Sequence, residues 1–323
     1  MEIEKGKIPS SIRNIDPSFR NYVNRRKQQL AAHIAGNGLP DYAFSVDYEL
    51  RKKLDSIPQF YNISKNICAT YASRTLQIIN QSALAVGPNQ LPEVYDICRE
   101  CAKRLGIGIP SLYILDSREL NAYTIATDDI EPLIVVHSSL YERFSKGELK
   151  AVIGHECGHI HNSHGVYNIM AQILMATGVN TLAGTISSAI STIVSLGANY
   201  ALKAWYRAEE VTCDRAGMIC CDHLEDCYSV MAKFMHGAMR GDFTISYEEL
   251  EKQLDMQKST ITRLEELERD HPSSVRRIQA ERAFSECELF YRWRPDLRTP
   301  GQTLYSKHDT DEKCRQYVSV LEK

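Results

Sequence analysis

Apolar positions follow a helical spacing along most of the chain and shorten to strand-like runs only between about residues 111 and 140. In "DPSFRNYVNRRKQQLAAHIAGNG", Phe19, Tyr22, Val23, Leu30 and Ile34 share one face. Asp16 is an N-cap, Pro17 sits at the first helical position, and Asn37-Gly38 ends the helix. The pattern predicts further helices over 44–55 and 63–85, followed by a break at "VGPNQLP". "LPEVYDICRECAKRLGI" is an amphipathic helix, "SLYILD" and "PLIVVHSSL" are strands, and "NAYTIA" is an edge strand. Ser145 and Glu148 have the spacing of a capping box opening the next helix. Helices are then predicted over 203–222, 225–240, 247–270, 274–288 and 310–321, with a loop at "RPDLRTPG". The expected fold class is α+β and mostly helical. Residues 1–88 form an N-terminal helical region with a regulatory or partner-binding role, 89–290 a catalytic domain, and 291–323 a tail with a short helix.

One segment departs from ordinary amphipathic spacing. Residues 168–202 hold no charge and no histidine. A membrane span needs about 20 mostly apolar residues. Here Gln172, Asn180, Gly178 and Gly184 interrupt the run, so a buried or oligomer-facing helical pair is the preferred reading. Small residues also suit close helix packing in a bilayer, which keeps a membrane-embedded form as the alternative. Net charge is -3, which gives no case for nucleic-acid binding. Residues 1–90 carry 12 Lys and Arg against 7 Asp and Glu. A solvated helical face accounts for this excess, and a segment docking on the acidic remainder or on a membrane surface is the alternative. The charged start "MEIEKGKIPSSIRN" has no apolar core of a secretory signal. Ten cysteines scattered through helical segments, including the lone Cys98-x-x-Cys101, fit small buried side chains in a reducing compartment, and the expected location is the cytoplasm.

The chemistry is concentrated in "GHECGHIHNSH" at 154–164. Residues i and i+4 of a helix lie one above the other, so His155 and His159 can bind one ion, with Glu156 beside them as general base. A third ligand of the metzincin pattern fails, because Asn162 and Gly165 stand where its glycine and histidine belong. His161 and His164 are off the stripe and are read as supporting or structural. In "WYRAEEVTCDRAG", Glu210 and Asp214 are again i and i+4. Glu210 is the candidate third ligand, and Asp214 can accept from the far ring nitrogen of a metal-bound histidine. Glu209 is the rival ligand, without an Asp at i+4; Arg207 is placed to orient the Glu210 carboxylate. Two histidines, one glutamate and an open fourth position describe a catalytic zinc site, one ion per chain.

At these residues the chain resembles the zinc metallopeptidases of the HtpX and CAAX prenyl protease type, metallopeptidase family 48 among the gluzincins. The resemblance spans about Leu91 to Phe284 and includes "LNAYTIA", "ELKAVIGHECGHIHNSH", "RAEEVTCD" and "HPSSVRRI" in the family's order. Cys157 and Cys213 depart from the family's usual residues without touching a ligand. The resemblance implies a gluzincin-like catalytic domain with a small sheet over the active-site helix. It implies that Asn121, Ala122 and Tyr123 lie along the cleft, where an extended peptide adds by backbone pairing. It implies that His271, before Pro272, sits near the metal as an oxyanion donor or as a cap in a latent form, and that Arg276 braces the site. The expected activity is zinc-dependent endopeptidase cleavage of a peptide or protein substrate. The alternatives are a non-cleaving or latent binder of peptides or unfolded chains, and a membrane-embedded protease; a homo-oligomer is compatible with either location.

Overall fold

The structure, a computed structural model, describes residues 33–35, 39–57, 59–127, 130–177, 198–237 and 273–318, with a few positions between 246 and 252. The helix expected from Asp16, the middle of the uncharged stretch, His271 and nearly all of 247–270 lie outside the described residues.

Among the described residues two helices come first, α1 (Ser45–Asp55) and α2 (Phe60–Ser82). The helix expected to run to residue 85 stops at Ser82, and β1 (Ala83–Val86) follows it. Its four small and aliphatic residues pair antiparallel with β2 (Ser111–Leu115), so ladder bonds replace further helical turns. The boundary expected near residue 88 thus falls just past a strand of the sheet. Between β1 and β2 runs α3 (Pro92–Leu105), which starts with Pro at its first positions and ends on Gly106 at φ +70°.

β2 pairs in parallel with β4 (Ile130–His137), and β4 pairs antiparallel with β3 (Ala122–Thr127). The order β1-β2-β4-β3 leaves β3 at an edge, as "NAYTIA" predicted. The run Leu133-Ile134-Val135-Val136 is apolar throughout because β4 is covered on both faces. Ile134 and Val136 join Leu112 and Ile114 in one core, whereas Leu133 and Val135 join Ile125 in another. The sheet therefore divides two hydrophobic compartments.

After β4 the chain does not continue as strand through "SSL" but turns into α4 (Ser138–Arg143). The capping box is present in both halves at the start of α5 (Lys146–His161): Glu148 N–H donates to Ser145 Oγ at 3.1 Å, and Ser145 N–H donates to Glu148 Oε2 at 2.7 Å. There follow α6 (Gly165–Thr177), α7 (Ala198–Cys220), α8 (Leu224–His236), α9 (Ser274–Ser285), α10 (Glu288–Trp293), a 3-10 turn at Pro295–Leu297 and α11 (Lys307–Val318). No helix among the described residues is long and apolar enough to cross a membrane. All ten cysteines are buried and unpaired, Cys98 and Cys101 among them.

α7 is the hub. Its Arg215 is buried, donates to Tyr42 O at 3.0 Å, pairs with Asp311 of α11 at 2.7 Å, and lies over the rings of Phe44 and Phe284. Phe44 N–H donates to Thr212 on the same helix at 3.1 Å. Segments before residue 50 and after residue 306 are thus both fastened to the helix that carries Glu210 and Asp214.

Candidate active site

α5 and α7 meet along a seam of small residues. A Cβ on Gly154 would stand 2.5 Å from Cys220 Cβ, and one on Gly158 would stand 2.8 Å from Ala216 Cβ. From the opposite side, a Cβ on Gly217 would stand 2.9 Å from Ala151 O. This close approach puts the inward side chains of the two helices, His155 and His159 on α5 and Glu210 and Asp214 on α7, into one cleft.

His155 is held from behind. Its Nδ1 lies 2.9 Å from Asp214 Oδ1, which leaves Nε2 facing Glu210 Oε2 at 3.8 Å. Arg277 of α9 donates from Nε to Asp214 Oδ2 at 2.8 Å and from Nη2 to Asp214 Oδ1, and its Nη1 lies 2.8 Å from Glu210 Oε2. One planar guanidinium therefore fixes both carboxylates. Burial opposes charge on Asp214, but Arg277 and His155 outweigh it and hold the carboxyl below its usual range. Burial likewise opposes charge on His155, and the Asp214 hydrogen bond with the charges of Glu210 and Asp214 raises its pKa.

His159 has a different support. Its Nδ1 lies 3.2 Å from His164 Nδ1, 3.4 Å from Asn168 Nδ2 and 3.6 Å from Glu209 Oε2. Asn168 donates to Glu209 Oε1 at 2.8 Å, and Glu209 Oε2 lies 3.1 Å from His164 Nδ1. The far nitrogen of His164 meets Asp47 of α1 at 3.1 Å. Asp47 also accepts from Trp205 Nε1 at 2.8 Å and from Thr212 Oγ1 at 2.7 Å. Asp47, His164 and Glu209 are all at most 1% exposed. Burial, with Glu210 and Asp47 near, pushes Glu209 far above the usual carboxylate range against the pull of His164. Burial works against Asp47 as well, but His164, Thr212 and Trp205 together keep it below its usual value. Glu209, the rival ligand, therefore stands behind His159 and not in the cleft lining.

Glu156 lines the cleft beside both histidines, and Thr124 of β3 donates to its Oε2 at 2.7 Å. The same hydroxyl reaches Glu156 O at 3.1 Å, tying the edge strand to α5. Asn121, Ala122 and Tyr123 line the cleft along this edge. Among the described residues no strand pairs with the outer side of β3.

The donor set suits a metal ion. Two imidazoles have carboxylates behind Nδ1, the arrangement that presents Nε2 to a cation. Two triads have ligand atoms mutually within 4.8 Å: His155, His159 and Cys213, and His159, His164 and Glu209. The second belongs to the hydrogen-bonded support just described. In the first, Cys213 is fully buried and outside the cleft lining. Glu210, in the cleft and facing His155 Nε2, is the better third donor.

One arginine does not stand where the sequence put it. Arg276 turns away and donates to Tyr317 O at 2.6 Å; the guanidinium at the site belongs to its neighbour Arg277. The turn of α9 decides which of two adjacent side chains faces inward, and the sequence signal marks the pair without that phase. Arg207 is buried on α7 outside the cleft lining. His161 turns to Tyr42 OH at 3.0 Å. Thr124, Asn168, Arg277 and Asp47 escaped the sequence reading. Of these Thr124 lay in "NAYTIA" and Arg277 in "HPSSVRRI" without an assigned role, and the other two are brought in by tertiary contacts.

A family model described as Peptidase family M48 matches residues 88–284. The chain belongs to this family. Membership supports zinc-dependent proteolysis in general. The plastoglobule-localized metallopeptidase 48 of Arabidopsis thaliana chloroplasts is 31% identical over 198 residues, covering 61% of this chain and 56% of that protein. A protease HtpX homolog of Thermodesulfovibrio yellowstonii is 30% identical over 125 residues, covering 39% and 42%. The matches thus span about half the length of these M48 relatives. The crystal structure of S. mikatae Ste24p aligns with a TM-score of 0.40 at 14% identity, covering 82% of this chain and 67% of that one, a likeness too loose to carry weight.

Proposed function

We propose that this M48 chain is a zinc-dependent endopeptidase of gluzincin type, with α5 as the active-site helix beneath the edge strand. The observation that carries the reading is the cleft itself: two imidazoles backed at Nδ1, facing Glu210, with Glu156 beside them and an unpaired strand edge alongside. His155, His159 and Glu210 would hold one zinc ion, which when bound polarises a carbonyl and acidifies water. Glu156 takes the proton of the attacking water and hands it to the leaving nitrogen. Thr124 holds Glu156 in place for both transfers. The edge formed by Asn121, Ala122 and Tyr123 binds the substrate backbone, which positions the scissile bond while tolerating varied sequences. His271 is the proposed donor to the developing oxyanion.

The test compares zinc-loaded wild type with Glu156→Gln on an unstructured peptide mixture, assaying bound metal in both. The expected result is about one zinc in each chain and a loss of turnover of roughly a hundredfold or more in the variant. Hydrolysis by Glu156→Gln at the wild-type rate defeats the mechanism. Zinc in both with cleavage by neither favours a binding protein.

A further inference from the structure

The cleft continues past the metal side chains. Beyond Ala122 it runs into a recess walled by Val152 of α5 and by Cys227, Val230 and Met231 of α8. All four walls are at most 5% exposed and present apolar atoms. At this end Glu281 of α9 also lines the cleft. It is 2% exposed, and its Oε2 has no hydrogen-bond partner. Arg277, one turn earlier on the same helix, is already engaged with Asp214 and Glu210. Of the described cleft-lining side chains, Glu281 is the one with a buried oxygen left unmatched. Buried polar groups are nearly always paired, and an exception calls for an explanation.

The position of the recess says which part of a peptide would enter it. β3 runs from α5 toward the start of α6: Thr124 meets Glu156 on α5, and Ala126 lies against Gly165, where α6 begins. A peptide pairing antiparallel with β3 would run the other way. Residues after its scissile bond would then lie toward Ala122, Val152 and Glu281. The walls fit an aliphatic stem, the chemistry by which long charged side chains bury their methylenes. The unmatched acceptor fits a cationic end. Arg277 is taken up by Asp214 and Glu210, and Glu281 Oε2 has no hydrogen-bond donor of its own.

We propose that this recess is a specificity subsite that selects lysine or arginine just after the scissile bond, with Glu281 receiving the ammonium or guanidinium. The inference rests on the peptidase reading and supplies its substrate class. Burial, with the charge of Asp214, holds the Glu281 carboxyl well above its usual range in the empty cleft. An arriving cation supplies the partner that stabilises its ionised form.

The experiment uses the full zinc-loaded chain and a peptide mixture whose product ends are mapped by mass spectrometry. Lysine or arginine enriched at the first or second position after the cut supports the subsite. A matched pair of fluorogenic peptides, differing only as lysine or norleucine there, should then show kcat/KM about tenfold or more in favour of lysine. Glu281→Leu should erase that ratio while retaining cleavage of the norleucine peptide, and Glu281→Gln should fall between. Binding of the same two peptides to Glu156→Gln by calorimetry gives the comparison without turnover. Tighter lysine binding that depends on Glu281, without cleavage by the wild type, would uphold the subsite and defeat the peptidase reading. Cleavage without lysine or arginine enrichment, or an unchanged preference in Glu281→Leu, overturns the subsite and leaves the peptidase reading intact. Equal binding of the two peptides to Glu156→Gln likewise overturns it.

Discussion

Behind His155 stands a charge-balanced brace, in which Asp214 and Glu210 share the Arg277 guanidinium. Behind His159 stands an acid-rich one, in which Glu209 and Asp47 are bridged by His164. The first is built wholly from residues inside the matched span 88–284, on two helices packed together. The second reaches back to α1, more than 40 residues before that span begins. One half of the proposed metal site thus rests on family architecture, and the other on a segment that the family match leaves out. The N-terminal region expected to recognise a partner also helps build the site.

Removing each support should expose the difference. Asp214→Ala leaves Arg277 without its main partner and His155 without an orienting acceptor. Its zinc affinity, read by competition with a chromophoric chelator, should fall toward the upper end of the roughly 10–100-fold cost of losing such a partner. Asp47→Asn acts on His159 only through His164, so its affinity loss should be nearer the lower, roughly tenfold end. It should also cost about 3 kcal/mol in urea unfolding of the metal-free chain, because it breaks a buried pair. Equal affinity losses in the two variants would abolish the distinction, and an unchanged metal affinity in Asp47→Asn would reduce the second brace to a folding contact. Arg277→Lys keeps the charge but gives up the fork on two carboxylates, and a loss of roughly threefold is expected. The smallest effect is on pH. The Asp47 carboxyl is held below its usual value, so its contribution is present above about pH 4 and disappears as pH falls through its folded-state pKa. The stability advantage of wild type over Asp47→Asn should therefore shrink below about pH 4, measured by urea midpoints from pH 6 to pH 3.

Local signals were readable where one helix holds the whole relation. His155, Glu156 and His159 lie on one helix, as do Glu210 and Asp214, and their periodicity alone places them near one another. The Ser145 and Glu148 capping box was legible for the same reason. Relations that cross the chain were not. Asp47 meets His164 over 117 positions, and no local pattern encodes such a contact. Glu209 and Glu210 are neighbours on α7 that face different histidines; the sequence named one as ligand without assigning the other its place behind His159. β1 was hidden because "ALAV" fits the end of a helix as readily as a strand until β2 lies beside it.

The small-residue seam between α5 and α7 also limits how the molecule can breathe. At Gly154, Gly158 and Gly217 only the small side chains of Cys220 and Ala216 and the Ala151 carbonyl lie at the seam, so little can rearrange to let the helices slide or part. The motif helix and the helix bearing Glu210 should then move as one unit, with their amides expected among the last to exchange in hydrogen-exchange measurements. On the proposed peptidase reading, a chain would therefore enter between β3 and α8, which line the other sides of the cleft.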